Sequence, residues 1–153
     1  SAAATASSNL ALLSGVAEGL HRNGWGHVPI LAVETEGAAS LHQSMVAERL
    51  VELEKITSIA TSLGAKRVCE RAFQWSKEHP IRSVVVSDAA ALSACTRFLD
   101  DHRVLVEPAC GASLALAYAQ AAELAGYDEV LVIVCGGATA TLDQIKQWSA
   151  RCA

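Results

Sequence analysis

The first residue able to do chemistry is Cys135, which closes the apolar run Val-Leu-Val-Ile-Val at 130–134 and precedes Gly136-Gly137. A thiol at the end of a buried strand, followed by two residues without side chains, can face a ligand that approaches the backbone closely. The same composition also fits a core cysteine, since cysteine packs as a small hydrophobe. No base or cation stands beside it in the sequence to make it a nucleophile. Glu34 ends a second apolar run and opens Thr35-Glu36-Gly37-Ala38-Ala39-Ser40. Its carboxylate and the loop carbonyls offer oxygen to a hard cation, or the carboxylate caps a helix or faces solvent. Glu107-Pro108-Ala109-Cys110-Gly111 is either a ligand loop or a well-formed turn into a helix.

The elements that must position these residues follow from hydrophobic period and turn residues. Leu10, Leu13, Ala17 and Leu20 predict a helix ending near Asn23-Gly24, and 28–33 is a short buried strand. Val46 to Leu53 and Ile56 to Leu63 predict two further helices, stopped by Gly64, with a strand at 66–69. Residues 70–78 are helical, 83–86 a β-branched strand, and Ser87 or Asp88 caps the next helix, whose apolar stripe is Ala91, Leu92, Cys95, Phe98 and Leu99. A strand at 104–106, a helix at 112–125, a strand at 130–134 and a helix carrying Leu142, Ile145 and Trp148 complete the series.

Strands joined by helical crossovers run parallel and need helices on both sides, so the expected fold is α/β: an open, mostly parallel twisted sheet, as one domain over 1–153. Ligands of such sheets bind beyond the carboxyl ends of the strands, where Cys135, Glu34 and Glu107 all fall.

The composition narrows the function. The chain has 153 residues, within the roughly 100–200 of a single domain. It is 52% hydrophobic and 18% charged, which excludes a disordered chain. Twelve basic against sixteen acidic residues, without runs, lack the footprint of a nucleic-acid or acidic-membrane binder. Five cysteines without CxxC spacing suggest neither a disulfide framework nor structural zinc, and fit the cytoplasm. No apolar run reaches the roughly 18 residues of a membrane span. The histidines are expected at the surface, and Trp25, Trp75 and Trp148 over the core. The start, Ser-Ala-Ala-Ala without methionine, is one expected of a trimmed chain, a processing product or a fragment.

In order, VPILAVETEGAAS (28–40), KITSIATSLGAKRV (55–68), VVVSDAAAL (84–92), VLVEPACGASLAL (104–116) and VIVCGG (132–137) resemble the catabolic serine/threonine dehydratases, cytosolic fold-type II pyridoxal-phosphate enzymes. The likeness runs from about Leu12 to Trp148 and corresponds to the C-terminal half of a family member. It implies a β-elimination that turns serine or threonine into ammonia and pyruvate or 2-oxobutyrate, with the cofactor supplying the electron sink. It also implies that the Cys135 thiol lies near the pyridine nitrogen. A weak donor there leaves the nitrogen largely unprotonated, which elimination tolerates because the departing hydroxyl carries the electrons away.

By the same register Ser62 and Gly64 pass beside the cofactor ring, and Ser8, Asn9, Leu10 and Ala11 occupy the phosphate loop. Oxygens of Glu34, Ala38, Ser40, Leu63 and Ala65 correspond to the ligands of a potassium-like monovalent cation. Two departures stand out. Side chains at 8–11 replace the family's glycines, and the lysine that holds the cofactor belongs to the preceding half, which none of Lys55, Lys66, Lys77 and Lys146 matches. No catalytic residue is therefore assigned. Expected partners are serine or threonine, and an N-terminal half or a homodimer partner. The competing expectation is a non-catalytic partner or regulatory domain.

Overall fold

The computed structural model describes residues 2–7 and 10–152. Among them are four strands, β1 (Ala2–Ser7), β2 (Ile30–Thr35), β3 (Ile81–Val86) and β4 (Glu129–Val132), paired in the order β3-β2-β1-β4, all parallel. The connecting helices are α1 (Leu10–Arg22), α2 (Ser40–Val46), α3 (Glu70–Glu78), α4 (Asp88–His102), α5 (Pro108–Tyr118) and α6 (Leu142–Cys152).

Strand β2 explains the layering. All six of its residues are buried, so the period-2 alternation feeds two cores rather than a core and solvent. Ile30 and Ala32 pack with Leu13 and Ala17 of α1, Leu41 of α2, and Ala72, Phe73 and Trp75 of α3. Leu31 and Val33 face the other way, onto Ala91 of α4 and Ala109, Ala112 and Leu116 of α5. A third cluster joins α4 and α5 to Ile145 of α6. Helices thus cover both faces of a parallel sheet, as the alternating sequence predicts.

Local chemistry sets the helix starts. The Ser87 hydroxyl accepts a hydrogen bond from Ala90 N at 3.1 Å, capping α4, while Pro108 begins α5 directly after Glu107. Helices α4 and α5 meet at Gly111, where a Cβ would sit 2.2 Å from Ala91 O and 2.6 Å from Cys95 Sγ. Only glycine permits that approach.

Several sequence expectations differ from the structure. The segment at 2–7 is a strand hydrogen-bonded to β2 and β4 on its two sides. Alanine, serine and threonine carry little β signal, so ladder pairing overrides propensity there. The helix expected from Val46 to Leu53 lies earlier, at Ser40–Val46, and that expected from Ile56 to Leu63 shrinks to a 3-10 turn at Thr61–Leu63. Between them the chain is held by loop hydrogen bonds such as Leu53 N to Lys66 O at 2.7 Å. The strand expected at 66–69 is reduced to one antiparallel bridge, Glu52 to Arg67. Residues 104–106 join no ladder, and α5 begins at Pro108 rather than Ala112, because the Glu107-Pro108 pair already starts the helix. Of the tryptophans, Trp75 is buried and Trp148 packs against the third cluster, but Trp25 is 59% exposed.

His79 also departs from its expected surface position. It is 4% exposed, its Nε2 hydrogen-bonds Val28 O at 2.8 Å, and Nδ1 has no partner. The carbonyl can only accept, so Nε2 carries the proton. Burial holds the His79 pKa below its ordinary 6.5, the bond to Val28 opposes this, and nearby His21 adds to the lowering. On acidification the unfolded chain therefore takes up this proton before the folded one does. The stability present above pH 6.5 is lost as pH falls below 6.5 toward the folded value. Urea midpoints measured across this range are expected to fall more steeply for the native chain than for His79→Gln, which keeps an N–H donor without titrating. Parallel slopes would refute this.

Candidate functional site at the switch point of the sheet

The strand order places the crevice. From β1 the chain steps to β2 and β3 on one side and then crosses to β4 on the other, so the direction of winding changes between β1 and β4. Adjacent crossovers part there and leave a cleft beyond the carboxyl ends of the strands. Thr5 pairs with Val132 and Ser7 with Val33. Cys135 and Glu34 thus leave the same edge of the sheet, on strands two spacings, about 10 Å, apart.

Cys135 is exposed, on the loop that follows β4. The first turn of α5 holds that loop. Cys110, 1% exposed, accepts a hydrogen bond at its sulfur from Cys135 N at 3.2 Å and donates its thiol to Gly136 O at 3.3 Å. Glu107 N donates to Gly136 O at 3.1 Å. The Glu107 carboxylate accepts from Ser62 Oγ at 2.9 Å and from Thr139 Oγ1. Gly137 lies against the chain at 105–106, where a Cβ would be 2.3 Å from Leu105 O. A Cβ on Gly136 would meet nothing within 4 Å. The outcome is an outward thiol on a pinned backbone beside an open glycine. Burial pushes the Cys110 thiol pKa up, and the hydrogen bonds at Gly136 and Cys135 oppose this in part, so Cys110 remains a thiol at neutral pH.

Among the residues singled out for the cofactor, the structure brings Ser62 into this cluster through Glu107. Gly64 ends the same 3-10 turn, its N–H bonded to Thr61 O at 2.9 Å. Leu10 and Ala11 open α1 where the chain leaves β1. Ser8 and Asn9 lie outside the described residues.

The cation residues split by face. Glu34 is 1% exposed, and its carboxylate accepts Leu41 N at 3.0 Å and His42 N at 2.7 Å, on the α2 side of the sheet. Ser40 is buried at the start of α2, and its carbonyl accepts Ser44 Oγ at 2.7 Å. Ala38 and Leu63 pack together in the cluster on the other face. Ala65 N donates to Leu63 O at 2.8 Å. Beside them, Thr35 Oγ1, Ser58 Oγ and the Asp88 carboxylate form a hydrogen-bonded chain at 2.7 and 2.6 Å that ties the top of β2 to α4.

Sequence reasoning left 107–111 as a ligand loop or a turn into a helix, and in the structure Glu107 is the N-cap and 108–111 the first turn of α5. It missed that Glu107 and Cys110, one helical turn apart, both grip the Cys135 loop. The spacing was a usable signal, since residues three apart at a helix start share a face.

A parallel sheet wound in both directions, with a thiol and paired glycines at its switch point, is the architecture of a fold-type II pyridoxal-phosphate enzyme large domain. A family model described as pyridoxal-phosphate dependent enzyme matches residues 2–136, and the chain belongs to that family. It is 47% identical over 143 residues to human L-serine dehydratase/L-threonine deaminase, covering 88% of this chain and 44% of that protein. A rat serine dehydratase-like protein is also 47% identical, over 89% of this chain and 44% of its own length. The solved structure of a fungal L-serine ammonia-lyase from Rhizomucor miehei superposes with a TM-score of 0.92 at 35% identity, covering 98% of this chain and 49% of that one. The chain thus spans about half the length of these relatives.

The described residues fit part of the cofactor. An exposed thiol is a weak donor suited to a ring nitrogen, Gly136 leaves its side of the loop open, and α1 starts at the crevice with the partial positive charge of a helix N-terminus. A lysine to bond the carbonyl carbon is not in the cluster. Lys55, Lys66, Lys77 and Lys146 are all exposed, with Lys66 bonded to Glu54 O and Lys77 lying over the Phe73 ring. Among the described residues, no helix is long and apolar enough to cross a membrane.

Proposed function

We propose that this chain forms one wall of the catalytic cleft of a pyridoxal-phosphate-dependent L-serine/L-threonine ammonia-lyase, which converts serine to pyruvate and threonine to 2-oxobutyrate with release of ammonia. The observation that carries this reading is the exposed Cys135 thiol at the β1/β4 switch point, pinned by Cys110 and Glu107. The identity to serine dehydratases over most of the chain supports the substrate class.

When bound, pyridoxal phosphate supplies the electron sink for cleavage at the amino-acid Cα. Cys135 would offer its weakly donating thiol to the ring nitrogen. Gly136 admits the ring to the backbone, and Ser62 and Gly64 border it. The first N–H groups of α1, at Leu10 and Ala11, would hold the phosphate. Oxygens of Glu34, Ala38, Ser40, Leu63 and Ala65 are those that would hold a potassium-like ion. The lysine would come from a complementary N-terminal half. In support, β4 is an edge strand of the described sheet, Leu131 is 64% exposed, and a groove of about 490 Å³ beside it is lined by Leu20, Trp25 and Val130. The five unpaired cysteines favour the cytoplasm.

The test is complementation. The chain is mixed with the lysine-bearing N-terminal half of the human relative, pyridoxal phosphate and serine, and pyruvate is followed. Turnover by the mixture and by neither part alone is expected. The placement of the four lysines favours a second reading, a non-catalytic partner domain, which predicts that the halves associate without forming pyruvate. That result would overturn the first reading.

A further inference from the structure

Cys110 and Cys135 stand 25 residues apart in sequence yet in contact, because the first turn of α5 and the loop after β4 share the switch-point edge. We propose that they are a reversible redox pair, which a hydroperoxide oxidises to a disulfide that closes the Gly136-Gly137 loop onto α5.

The geometry allows the bond. Cys110 Sγ is 3.2 Å from Cys135 N, itself about 1.5 Å from Cys135 Cα. The two Cα atoms are thereby held near the roughly 4.4–6.8 Å that a disulfide spans. Cys110 is anchored in a helix, whereas Cys135 is exposed and precedes Gly136, whose backbone is at φ +137 with open space around it. The exposed Cys135 side chain, beside an open glycine, can therefore turn toward the helix-anchored Cys110. Other thiols are placed less well. Cys95 is 1% exposed, with its pKa pushed up to about 12 by burial, and Cys69 precedes α3 on the opposite face of the sheet from α5.

Exposure sets the order of events. The Cys135 sulfur attacks the outer oxygen of the hydroperoxide, the O–O bond breaks, and an alcohol leaves with Cys135 as the sulfenic acid. The Cys110 sulfur then attacks the Cys135 sulfur. The S–S bond forms, the S–O bond breaks, and hydroxide departs with the Cys110 proton as water. Two thiols give up two electrons in total and one hydroperoxide takes them. A dithiol reverses the change. Within the proposed lyase, and resting on that reading, the same bond withdraws the thiol from the ring nitrogen.

The readout does not depend on cofactor or turnover. Between Arg103 and Lys146 the chain has no lysine or arginine, so a single tryptic peptide, 104–146, carries both cysteines and no others. The chain is treated with tert-butyl hydroperoxide, alkylated under denaturing conditions, digested and weighed. Peptide 104–146 is expected to take up no alkyl group, to be lighter by two hydrogens, and to recover both thiols after dithiothreitol. Total thiols fall from five to three, two being consumed. In Cys110→Ser, whose hydroxyl can make both hydrogen bonds of the thiol, Cys135 is expected to persist as sulfenic acid trapped by dimedone. The native peptide alone decides the case if that variant does not fold. Over-oxidised Cys135 beside an alkylatable Cys110, or a link from Cys135 to Cys69 or Cys152, would overturn the pairing.

Discussion

Glu34→Leu is expected to lower the free energy of unfolding by about 4 kcal/mol, since two N–H groups, one buried and one part-buried, are left without an acceptor at about 1–3 kcal/mol each. Those groups are Leu41 N and His42 N, which Glu34 holds at 3.0 and 2.7 Å from the end of β2. Leucine roughly conserves volume, so the loss comes from stranded donors and a loosened α2 rather than from a cavity. Glu34→Gln keeps one acceptor oxygen but turns an amide N–H₂ toward the second donor, and about half the loss is expected. Urea denaturation of the three proteins measures this. A leucine variant within about 1 kcal/mol of the native chain would mean that the carboxylate is not an anchor. The effect is large because a whole domain is stable by only about 5–15 kcal/mol.

The second large effect concerns the site. Gly137→Ala would place a Cβ 2.3 Å from Leu105 O and 2.9 Å from Leu105 C. Both are backbone atoms, beside the fully buried Val106, and cannot swing aside as a flexible side chain would. The 135–137 loop must move instead, which breaks the bonds from Cys135 N and Glu107 N that hold it. In the complemented lyase, turnover is expected to fall about 100-fold, the usual cost of misplacing a reacting group by roughly 1 Å. Because the change is confined to one loop, α-helical circular dichroism is expected to stay at the native value. The alkylation rate of Cys135, read on peptide 104–146, reports the displacement without any turnover. Native-like turnover with an unchanged alkylation rate would show that the close packing at Gly137 does not set the thiol's position.

The same residues show how far sequence reasoning reaches. The strand that carries Glu34 and the helix capped by Ser87 are local features, so period and capping chemistry disclose them. The 2–7 strand escapes because Ala-Ala-Ala-Thr-Ala-Ser has no β-branched run, and its pairing comes from β2 and β4, far away in the chain. The helices expected across 46–63 fail for the opposite reason. Their apolar spacing is helical, but residues 53–60 are tied to Lys66, Gly37 and Asp88 through loop hydrogen bonds that a window along the sequence does not contain. Cys135 was legible as a candidate and Glu34 as a carboxylate at a strand end. Glu34's two backbone partners and the grip of Cys110 on the Cys135 loop were not, since each joins segments separated by a turn or a crossover.

The sequence by itself determined the alternation of elements, the burial of β2 on both faces and the resemblance that directs attention to Cys135. These depend on side-chain type and spacing within a few residues, where one chain carries all the information. Only the tertiary structure decided that the winding reverses between β1 and β4, that Glu34 spends its carboxylate on α2, and that the Cys110 sulfur meets the backbone of Cys135, 25 residues away. Those outcomes follow from the order in which strands pair and from where backbone N–H groups find acceptors, and both are settled by packing across the whole sheet.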